Sequence, residues 1–402
     1  MNIVIVGASH AGMAAAAELR RLSDSANIIL LSAEGVLPYQ RPPLSKAYVS
    51  GDMTLEGLEL RPQNWFTDHN IDLRLNTRVA AIDRDAHQIR LVDGSSIEYT
   101  SLILATGSSP RRLGAEQGGT LKNVLVMRDL ADADALKPLL KQGAKLVVIG
   151  GGYVGLEAAA VAAKHGLHVT VVEAAEHILR RVACPQTASY IRELHQAHGV
   201  TVLEGSGVKG ITGNNGKAAG VELADGTLLA ADVVLVGIGV IPETKLAHDA
   251  GLTIANGIMV DSTLRTSDPD IFAIGDVAAF PRHGNHMRVE SVQNANDQGL
   301  VVAANVLGGD EHYNAVPWFW SDQYDLKLQI AGLNTGYTDI IVRQSSETAR
   351  SHFYFKDDEF LSADCFNDAA SFVVSRRLLQ MGRIITREQA ADTSLVLKTL
   401  IK

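Results

Sequence analysis

The sequence predicts an α/β protein in which two similar parallel-sheet units are followed by a smaller α+β domain. Two observations support this fold class. An order of apolar strand, glycine-rich turn, helix, second strand and acidic residue occurs twice, beginning at Asn2 and at Lys145. Beyond about residue 313, alternating segments such as Ile340–Arg343 and His352–Phe355 are typical of an antiparallel sheet.

The first unit contains a glycine turn that departs from the usual pattern. The turn begins at Gly7 and enters the helix near Gly12, but Ser9 stands where a second glycine is common. On its own, this turn is as compatible with an ordinary strand–turn–helix connection as with a ligand site. The predicted elements are a strand at Asn2–Val6, a helix from about Ala11 to Leu22 and a strand at Ile28–Leu31, with Glu34 after them.

The second unit has the complete pattern. Gly150 allows a tight turn, Gly152 lets the backbone approach a pyrophosphate, and Gly155 lets the helix pack on the strand. The helix then points its N–H groups and positive dipole end at the phosphates. Glu173 stands where a carboxylate accepts hydrogen bonds from a ribose 2′-OH. The predicted elements are a strand at Lys145–Ile149, a helix at Val154–His165 with Gly166 as its C-cap, and a strand at His168–Val172.

These units predict two Rossmann-like domains and therefore two dinucleotides, one a fixed redox cofactor and the other a diffusible electron source. Further elements repeat as well. Apolar strands end at Gly107 and at Gly239, and each follows a hairpin signal, Asp93-Gly94 or Asp225-Gly226. The chain then returns to the first domain through Ile271–Asp276.

Composition sets bounds on the function. A chain of 402 residues with 46% hydrophobic and 20% charged residues is expected to form two or three globular domains. A net charge of −9 argues against nucleic acid, and no apolar run reaches the roughly 20 residues of a membrane span. The chain enters its first strand without a basic leader, so we expect no signal peptide and a cytoplasmic location. The histidines and the two cysteines, Cys184 and Cys365, lack metal-ligand spacing, so no metal is predicted.

The order of the motifs resembles that of flavoprotein reductases with two dinucleotide-binding domains and a glutathione-reductase-like fold. One branch of that group looks closer still: the FAD- and NADH-dependent ferredoxin reductases of bacterial oxygenase systems, which include putidaredoxin reductase-like proteins and the reductases of aromatic-ring dioxygenases. The segments that carry this resemblance are Pro38–Lys46 (PYQRPPLSK), Val289–Gln298 (VESVQNANDQ) and Pro317–Tyr324 (PWFWSDQY). The resemblance covers essentially the whole chain and implies four segments: an FAD-binding domain at 1–112, an NAD-binding domain at 113–238, the rest of the FAD-binding domain at 239–315 and a C-terminal α+β domain at 316–402.

The proline-rich segment carries two cations. Its prolines fix φ and stiffen the loop, so Arg41 and Lys46 are presented with little loss of conformational entropy. Either cation suits a pyrophosphate or a reduced flavin, and on its own the segment is equally explained as a rigid surface loop with two solvated cations. In the family, the lysine pairs with the glutamate after the second glycine motif, here Glu157. We expect Glu157 on the first turn of its helix, where capping would also explain it.

Further site residues follow from the strand ends and from the resemblance. Asp276 ends an apolar strand, where an acceptor suits the hydroxyls of a ribityl chain, and the family places it there. Some relatives hold the ribose with an acid at the position of Ala33, so either Glu34 takes that role or the contact is absent. The second tryptophan of the C-terminal motif lies beside the flavin ring in the family, so Trp320 ranks above Trp318, although both are also typical core residues.

Together these arguments give a set of candidate residues. The predicted catalytic residues are Lys46, Glu157 and Trp320. The predicted FAD contacts are Gly7, Ser9, Ala11, Gly12, Glu34, Arg41, Pro42, Lys46, Val79, Ala105, Thr106, Gly107, Arg128, Gly275, Asp276, Val292 and Trp320. Four of these are implied by the resemblance, namely Ala11, Val79, Arg128 and Val292, and only Arg128 has a reason of its own, as a cation for a phosphate or the adenine edge. The predicted NADH contacts are Gly150, Gly152, Tyr153, Val154, Gly155, Glu157, Glu173, Gly237, Ile238 and Gly239.

The resemblance implies a reductase that passes electrons from NADH through FAD to a [2Fe–2S] ferredoxin of a bacterial oxygenase. NADH is expected over NADPH because Glu173 would repel a 2′-phosphate. A rubredoxin reductase and an NADH oxidase are alternatives, although oxidases of this fold commonly have a cysteine after the proline-rich loop, where this chain has Ala47. An NADH-sensing flavoprotein resembling apoptosis-inducing factor is an alternative of another class. The oligomeric state stays open.

A docked ferredoxin needs a local positive patch on a chain of negative net charge. Ser375, Arg376, Arg377 and Arg383 are the segment that we predict for it. A solvated helix face explains the same charges, and both interpretations remain.

Overall fold

The computed structural model describes residues 1–402 and divides into two compact units. The first comprises Met1–Gln40, Glu56–Ser109 and Ile241–Pro317, and the second comprises Arg41–Leu55, Pro110–Val240 and Trp318–Lys402. The proline-rich loop thus belongs, from Arg41 onward, to the same unit as the second glycine motif. The four-segment division given above remains a prediction.

Elements from the N-terminus to residue 242 alternate between short strands and helices. They are β1 (Asn2–Val6), α1 (His10–Leu22), β2 (Asn27–Leu31), α2 (Ala47–Ser50), α3 (Leu55–Leu58), α4 (Gln63–Asp68), β3 (Ile71–Arg74), β4 (Val79–Asp83), β5 (Gln88–Leu91), β6 (Ser96–Glu98), β7 (Ser101–Leu104), β8 (Ser108–Pro110), β9 (Val124–Leu125), α5 (Leu130–Leu136), β10 (Lys145–Ile149), α6 (Tyr153–Lys164), β11 (His168–Val172), α7 (Pro185–Ala197), β12 (Thr201–Leu203), β13 (Val208–Asn214), β14 (Lys217–Leu223), β15 (Leu228–Ala230), β16 (Val233–Val236) and β17 (Val240–Pro242).

The rest of the chain ends in a run of five consecutive strands and two helices. Its elements are α8 (Lys245–Asp249), β18 (Ile254–Ala255), β19 (Gly257–Met259), β20 (Ile271–Ala273), β21 (Ala278–Arg282), β22 (Asn285–Met287), α9 (Val292–Val306), β23 (Trp318–Gln323), β24 (Leu326–Gly332), β25 (Asp339–Gln344), β26 (Arg350–Lys356), β27 (Glu359–Phe366), α10 (Ala369–Met381) and α11 (Arg387–Ala391). None of the helices is long and apolar enough to span a membrane.

The first unit is built on a parallel sheet with the strand order β20-β7-β1-β2-β3. Ile3, Val4 and Ile5 of β1 are fully buried, as expected of a strand covered on both faces. Helix α1 packs against α9 so closely that a Cβ at Gly299 would lie 2.6 Å from Cβ of Ala14. The predicted return of the chain to this sheet is confirmed, because β20 pairs with β7.

The second unit contains a similar parallel sheet with the order β12-β11-β10-β16-β9. Both predicted strands, β10 and β11, have the expected bounds. Helix α6 begins and ends one residue earlier than predicted, and the prediction of Gly166 as C-cap is wrong. His165 is the cap because its N–H donates to the carbonyls of Val161 and Ala162, and Gly166 follows it with φ of +78°.

The C-terminal part of the second unit is the predicted antiparallel sheet, with the order β23-β24-β27-β26-β25. Phe353, Phe355 and Phe372 belong to the core that lies between this sheet and α10. Helix α6 packs against β23, so the helix after the second glycine turn contacts the first strand of this sheet. The α/β fold class with a C-terminal α+β domain is confirmed.

Candidate active site

The glycine turn of the first unit is closed by the packing of its own backbone. Gly7 has φ of +109°, and a Cβ there would lie 2.3 Å from the carbonyl oxygen of Ala105. A Cβ at Gly12 would lie 1.9 Å from the carbonyl oxygen of Gly7. Side chains are therefore excluded at both positions. Ser9 is the N-cap of α1 and Ala11 lies in the first turn of that helix, so the turn presents helix N–H groups as a pyrophosphate site requires.

The carboxyl ends of neighbouring strands bring further predicted residues to the same edge of the first sheet. Ala105 follows β7, Thr106 donates its hydroxyl hydrogen to the carbonyl oxygen of Glu243 (2.8 Å), and Gly107 has φ of +72°. Ligands of doubly wound sheets bind at this edge. The arrangement fits FAD, for which Val79 at the start of β4 and Val292 at the start of α9 remain predicted contacts.

Asp276 is the polar group at the end of β20, and two neighbours fix it. Its carboxylate accepts a hydrogen bond from the hydroxyl of Ser108 (2.9 Å), and its carbonyl oxygen accepts one from Arg288 (2.5 Å). The preceding Gly275 has φ of +76° and donates its N–H to the side-chain oxygen of the buried Gln298 (2.7 Å). Asp276 is thus a positioned acceptor, and its contact with the ribityl hydroxyls remains a prediction.

Glu34 is already engaged within the first unit. The hydroxyl of Tyr39 donates to its carboxylate at 2.6 Å, whereas Ala33 is exposed. A ribose contact at Glu34 would therefore share a carboxylate that Tyr39 orients, and the contact stays a prediction.

The proline-rich loop ends in a buried ion pair. The ammonium of Lys46 lies 2.8 Å from Oε2 of Glu157, and its side chain is 18% exposed. The hydroxyl of Ser45 donates to the same carboxylate oxygen (2.7 Å), and the hydroxyl of Ser321 donates to Oε1 (2.7 Å). Glu157 is only 3% exposed, so this charge is removed from water and stabilised by three polar partners.

The expectation that Glu157 lies on the first helical turn is wrong. Helix α6 begins at Tyr153, which puts Glu157 in the second turn, and the first turn contains no acidic residue. Helix capping therefore does not account for the carboxylate. The partner of the carboxylate is instead the ammonium of Lys46.

Arg41 and Pro42 occupy the start of the same loop. Pro42 begins a short 3-10 helix, Pro42–Ser45, and the guanidinium of Arg41 donates to the carbonyl oxygen of Arg128 at 2.9 Å. Arg41 and Arg128 therefore lie together in the second unit, which also contains Lys46 and Trp320. Their assignment to FAD remains a prediction.

The second glycine turn has the same tight contacts and one open position. Gly150 has φ of +103°, and a Cβ there would lie 2.4 Å from the carbonyl oxygen of Gly237. A Cβ at Gly155 would lie 2.6 Å from the carbonyl oxygen of Gly150, but a Cβ at Gly152 would meet nothing within 4 Å. The space at Gly152 is therefore left free of protein atoms, which fits the approach of a pyrophosphate. Of the other predicted contacts, Val154 and Ile238 are exposed, and Gly239 has φ of +96°.

Glu173 supports the turn in addition to its predicted role. Its two carboxylate oxygens accept hydrogen bonds from the N–H groups of Gly151 and Ala175, both at 2.8 Å. Each oxygen has a further lone pair for a ribose hydroxyl. Arg180, the next arginine along the chain, is paired with Glu176 at 2.9 Å.

Aromatic residues surround the start of α6 in the second unit. The ring of Tyr153 packs against Phe319 with centroids 4.9 Å apart, and burial raises the pKa of its hydroxyl well above the ordinary value. Trp320 is half-buried and lies 5.7 Å, centroid to centroid, from Trp318. The catalytic role of Trp320 remains a prediction.

Three polar residues at this site were not predicted from the sequence, namely Ser45, Ser321 and Gln323. Ser45 is the neighbour of Lys46, and Ser321 and Gln323 alternate on β23, so they share one face of the strand. The alternation of these two polar residues within an aromatic segment is the sequence signal that could have identified them. The contact with Glu157 was not available from the sequence.

This chain belongs to the pyridine nucleotide-disulphide oxidoreductase family, whose sequence profile matches residues 1–299. A second profile, described as reductase C-terminal, matches residues 318–401. The protein is therefore an oxidoreductase, as predicted, and its cofactors are FAD and NADH. Despite the family's name, both cysteines of this chain are free and buried.

Individual relatives show which kind of oxidoreductase this chain resembles. Rhodocoxin reductase of Rhodococcus erythropolis is 44% identical, over 100% of this chain and 94% of its own length. The crystal structure of a ferredoxin reductase for the CYP199A2 system from Rhodopseudomonas palustris superimposes with a TM-score of 0.97 at 42% identity, covering 100% of each chain. A rubredoxin-NAD(+) reductase of Pseudomonas putida is 39% identical, over 91% of this chain and 96% of its own length. The predicted resemblance to ferredoxin reductases of oxygenase systems is confirmed.

Proposed function

We propose that this protein delivers electrons from NADH to a [2Fe–2S] ferredoxin that serves a bacterial oxygenase. The observation that carries the proposal is the buried Lys46–Glu157 pair, held by a stiff loop in a chain with two nucleotide turns. Disulfide relays of related enzymes use paired cysteines, whereas Cys184 and Cys365 are both buried, unbonded thiols. Electron output through a protein-bound iron–sulfur centre is consistent with these residues and with the relatives.

FAD, when bound, supplies the exchange between two-electron and one-electron transfer. The chain's own residues bind the two nucleotides and orient them. The turn at Gly7 and the carboxylate of Asp276 hold the cofactor, the turn at Gly150 and Glu173 hold NADH, and Lys46 supplies a cation of fixed position. Glu157 keeps that cation in place, because the pair is 2.8 Å apart and largely shielded from water.

Lys46→Met tests this role. It removes the cation while keeping most of the side-chain volume, so anaerobic reduction of bound FAD by NADH should slow at least about tenfold. Lys141→Met, which removes an exposed cation outside the predicted site, is the control, and its FAD should be reduced at the normal rate. Equal rates for wild type and Lys46→Met would remove the ion pair from the mechanism.

The acceptor is tested by anaerobic turnover with NADH and three alternatives, namely a plant-type [2Fe–2S] ferredoxin, a Rieske-type ferredoxin and a rubredoxin. We expect one of the ferredoxins to be reduced with the highest kcat/KM. The rubredoxin-NAD(+) reductase relative makes rubredoxin the second candidate. Preference for rubredoxin, or NADH oxidation in a separate aerobic assay at the same rate with no carrier protein, would contradict the ferredoxin assignment.

The positive patch around α10 needs one correction. Ser375 is fully buried, and the guanidinium of Arg376 lies 5.8 Å from the centroid of Trp318, so neither is a simple surface residue. Arg377 and Arg383 are exposed. We therefore test docking with Arg377→Glu, which should slow ferredoxin reduction about threefold and weaken its salt dependence while ferricyanide reduction stays normal. Equal losses with both acceptors would point to damage at the FAD site instead.

A cytoplasmic location is part of the same proposal. The two cysteines are reduced and buried, which is ordinary for proteins of a reducing compartment. Fractionation of the native host cells with antibody detection would test it.

A further inference from the structure

A continuous series of hydrogen bonds, buried except for the last, leads away from the Lys46–Glu157 pair. Ser321 contacts Oε1 of Glu157 at 2.7 Å, and the side-chain nitrogen of Gln323 lies 3.1 Å from the hydroxyl of Ser321. Nε2 of His195 lies 2.7 Å from the side-chain oxygen of Gln323, and the hydroxyl of Tyr324 lies 3.2 Å from Nδ1 of His195. We call Ser321, Gln323, His195 and Tyr324 the polar series.

With a neutral His195, the chemistry of these groups assigns one direction to every hydrogen bond. A carboxylate only accepts, so Ser321 donates to Glu157, and its oxygen accepts from the amide NH₂ of Gln323. The amide oxygen of Gln323 must then accept from Nε2–H of His195. Nδ1 of His195 carries no proton in this neutral tautomer and accepts from the hydroxyl of Tyr324. All four donors therefore point toward Glu157.

These hydrogen bonds matter more because the groups that form them are buried. Ser321 is 1% exposed, Gln323 is 2% exposed and His195 is fully buried. An unmade hydrogen bond at any of these groups costs more than in water, and aligned hydrogen bonds strengthen one another. Burial also lowers the pKa of His195, the first cause of its shift, which agrees with a neutral ring.

We propose that Ser321, Gln323 and His195 are positioning residues for the Lys46–Glu157 pair. The polar series holds the carboxylate of Glu157 through its Oε1, so that Oε2 stays in position for Lys46 and Ser45. It also supplies hydrogen-bond donors to a carboxylate that is removed from water. The elements involved are β23 of the C-terminal sheet and helices α6 and α7. The sheet would thus set the geometry of a pair on which the proposed function rests.

Ser321→Ala and Ser321→Thr form the first test, because threonine keeps the hydroxyl. At saturating NADH, Ser321→Ala should slow anaerobic reduction of bound FAD about tenfold, the effect of losing one hydrogen bond to a charged group. Ser321→Thr should recover most of the rate, and the NADH concentration for half-maximal rate should stay within about twofold, because Ser321 does not belong to the predicted nucleotide site. Ser362→Ala is the matched control, since Ser362 is also 1% exposed on the same sheet but its hydroxyl has no partner.

The second test does not use activity. In ¹⁵N NMR of the FAD-loaded wild-type protein, His195 should be neutral with its proton on Nε2, and in Gln323→Leu that single tautomer should be lost. A cationic His195, or a proton on Nδ1, would overturn the proposal even if Ser321→Ala proved unstable. The proposal would also be overturned if FAD were reduced at the wild-type rate in Ser321→Ala, or as slowly in Ser321→Thr as in Ser321→Ala.

The two proposals fail separately. If Lys46→Met reduces FAD at the normal rate, the role of the ion pair fails and the polar series loses its function. If Lys46→Met is slow while Ser321→Ala is normal, only the positioning inference fails. FAD content and Tm measured for each variant would show whether its fold is intact.

Discussion

The two glycine turns of this protein share a motif but differ in how the protein uses the missing side chains. In the first turn, a Cβ at Gly12 would lie 1.9 Å from the carbonyl oxygen of Gly7. At the corresponding position of the second turn, Gly155, the distance is 2.6 Å. The middle position differs most, because Ser9 in the first turn corresponds to Gly152 in the second, where a Cβ would have no atom within 4 Å. Both turns are thus tightly packed at their first and third glycines, whereas the middle position of the second turn has open space beside it.

The acidic residues after the two turns differ as well. Glu34 is held by the hydroxyl of Tyr39, a side chain outside the turn. Glu173 is held by the N–H groups of Gly151 and Ala175, so it is part of the turn itself. A ribose bound at Glu173 therefore contacts a group whose position the glycine turn determines.

Replacement of the tightest glycine should separate the two turns most clearly. Gly12→Ala places a methyl group against a backbone oxygen that has no free space to move, so we expect a loss of about 3 kcal/mol in unfolding free energy and release of FAD. Gly155→Ala should cost less and leave FAD bound. Thermal unfolding and the flavin absorbance after desalting measure both effects. A larger effect at Gly155 would reverse the comparison.

Coenzyme choice should depend on the second acid and not on the first. Glu173→Ser removes the charge that would repel a 2′-phosphate, so the ratio of kcat/KM for NADH over NADPH should fall about tenfold, or ~1.4 kcal/mol. Glu34→Ser is the control and should leave that ratio unchanged. An unchanged ratio in Glu173→Ser would remove Glu173 from ribose recognition and leave it only its role in the turn.

The open middle position predicts a change in binding without a change in stability. Gly152 has φ of −82°, which alanine adopts readily. Gly152→Ala should therefore keep the wild-type Tm while the KM for NADH rises about fivefold, or ~1 kcal/mol, because the methyl group occupies space for the pyrophosphate. A fall in Tm with an unchanged KM would mean that the space serves the fold and not the coenzyme.

Much of the parallel-sheet architecture could be predicted from the sequence, because buried strands are short apolar runs between glycine signals. Strands β1, β10 and β11 have the predicted bounds. Contacts between distant segments could not be predicted. Ser321 and Glu157 are 164 residues apart, and their hydrogen bond depends on the packing of β23 against α6. Ser375, just before two arginines, is buried because α10 turns that face toward its sheet.

Whether FAD stays bound while NADH exchanges is tested most directly by measuring which nucleotide the protein retains. The purified protein is incubated with FAD and NAD⁺, passed through gel filtration and denatured, and its nucleotides are quantified by chromatography. We predict about one FAD per chain and almost no NAD⁺, since the family resemblance assigns a fixed cofactor to the first turn and a diffusible coenzyme to the second. Recovery of NAD⁺ in place of FAD, or of neither, would contradict this assignment of the two sites.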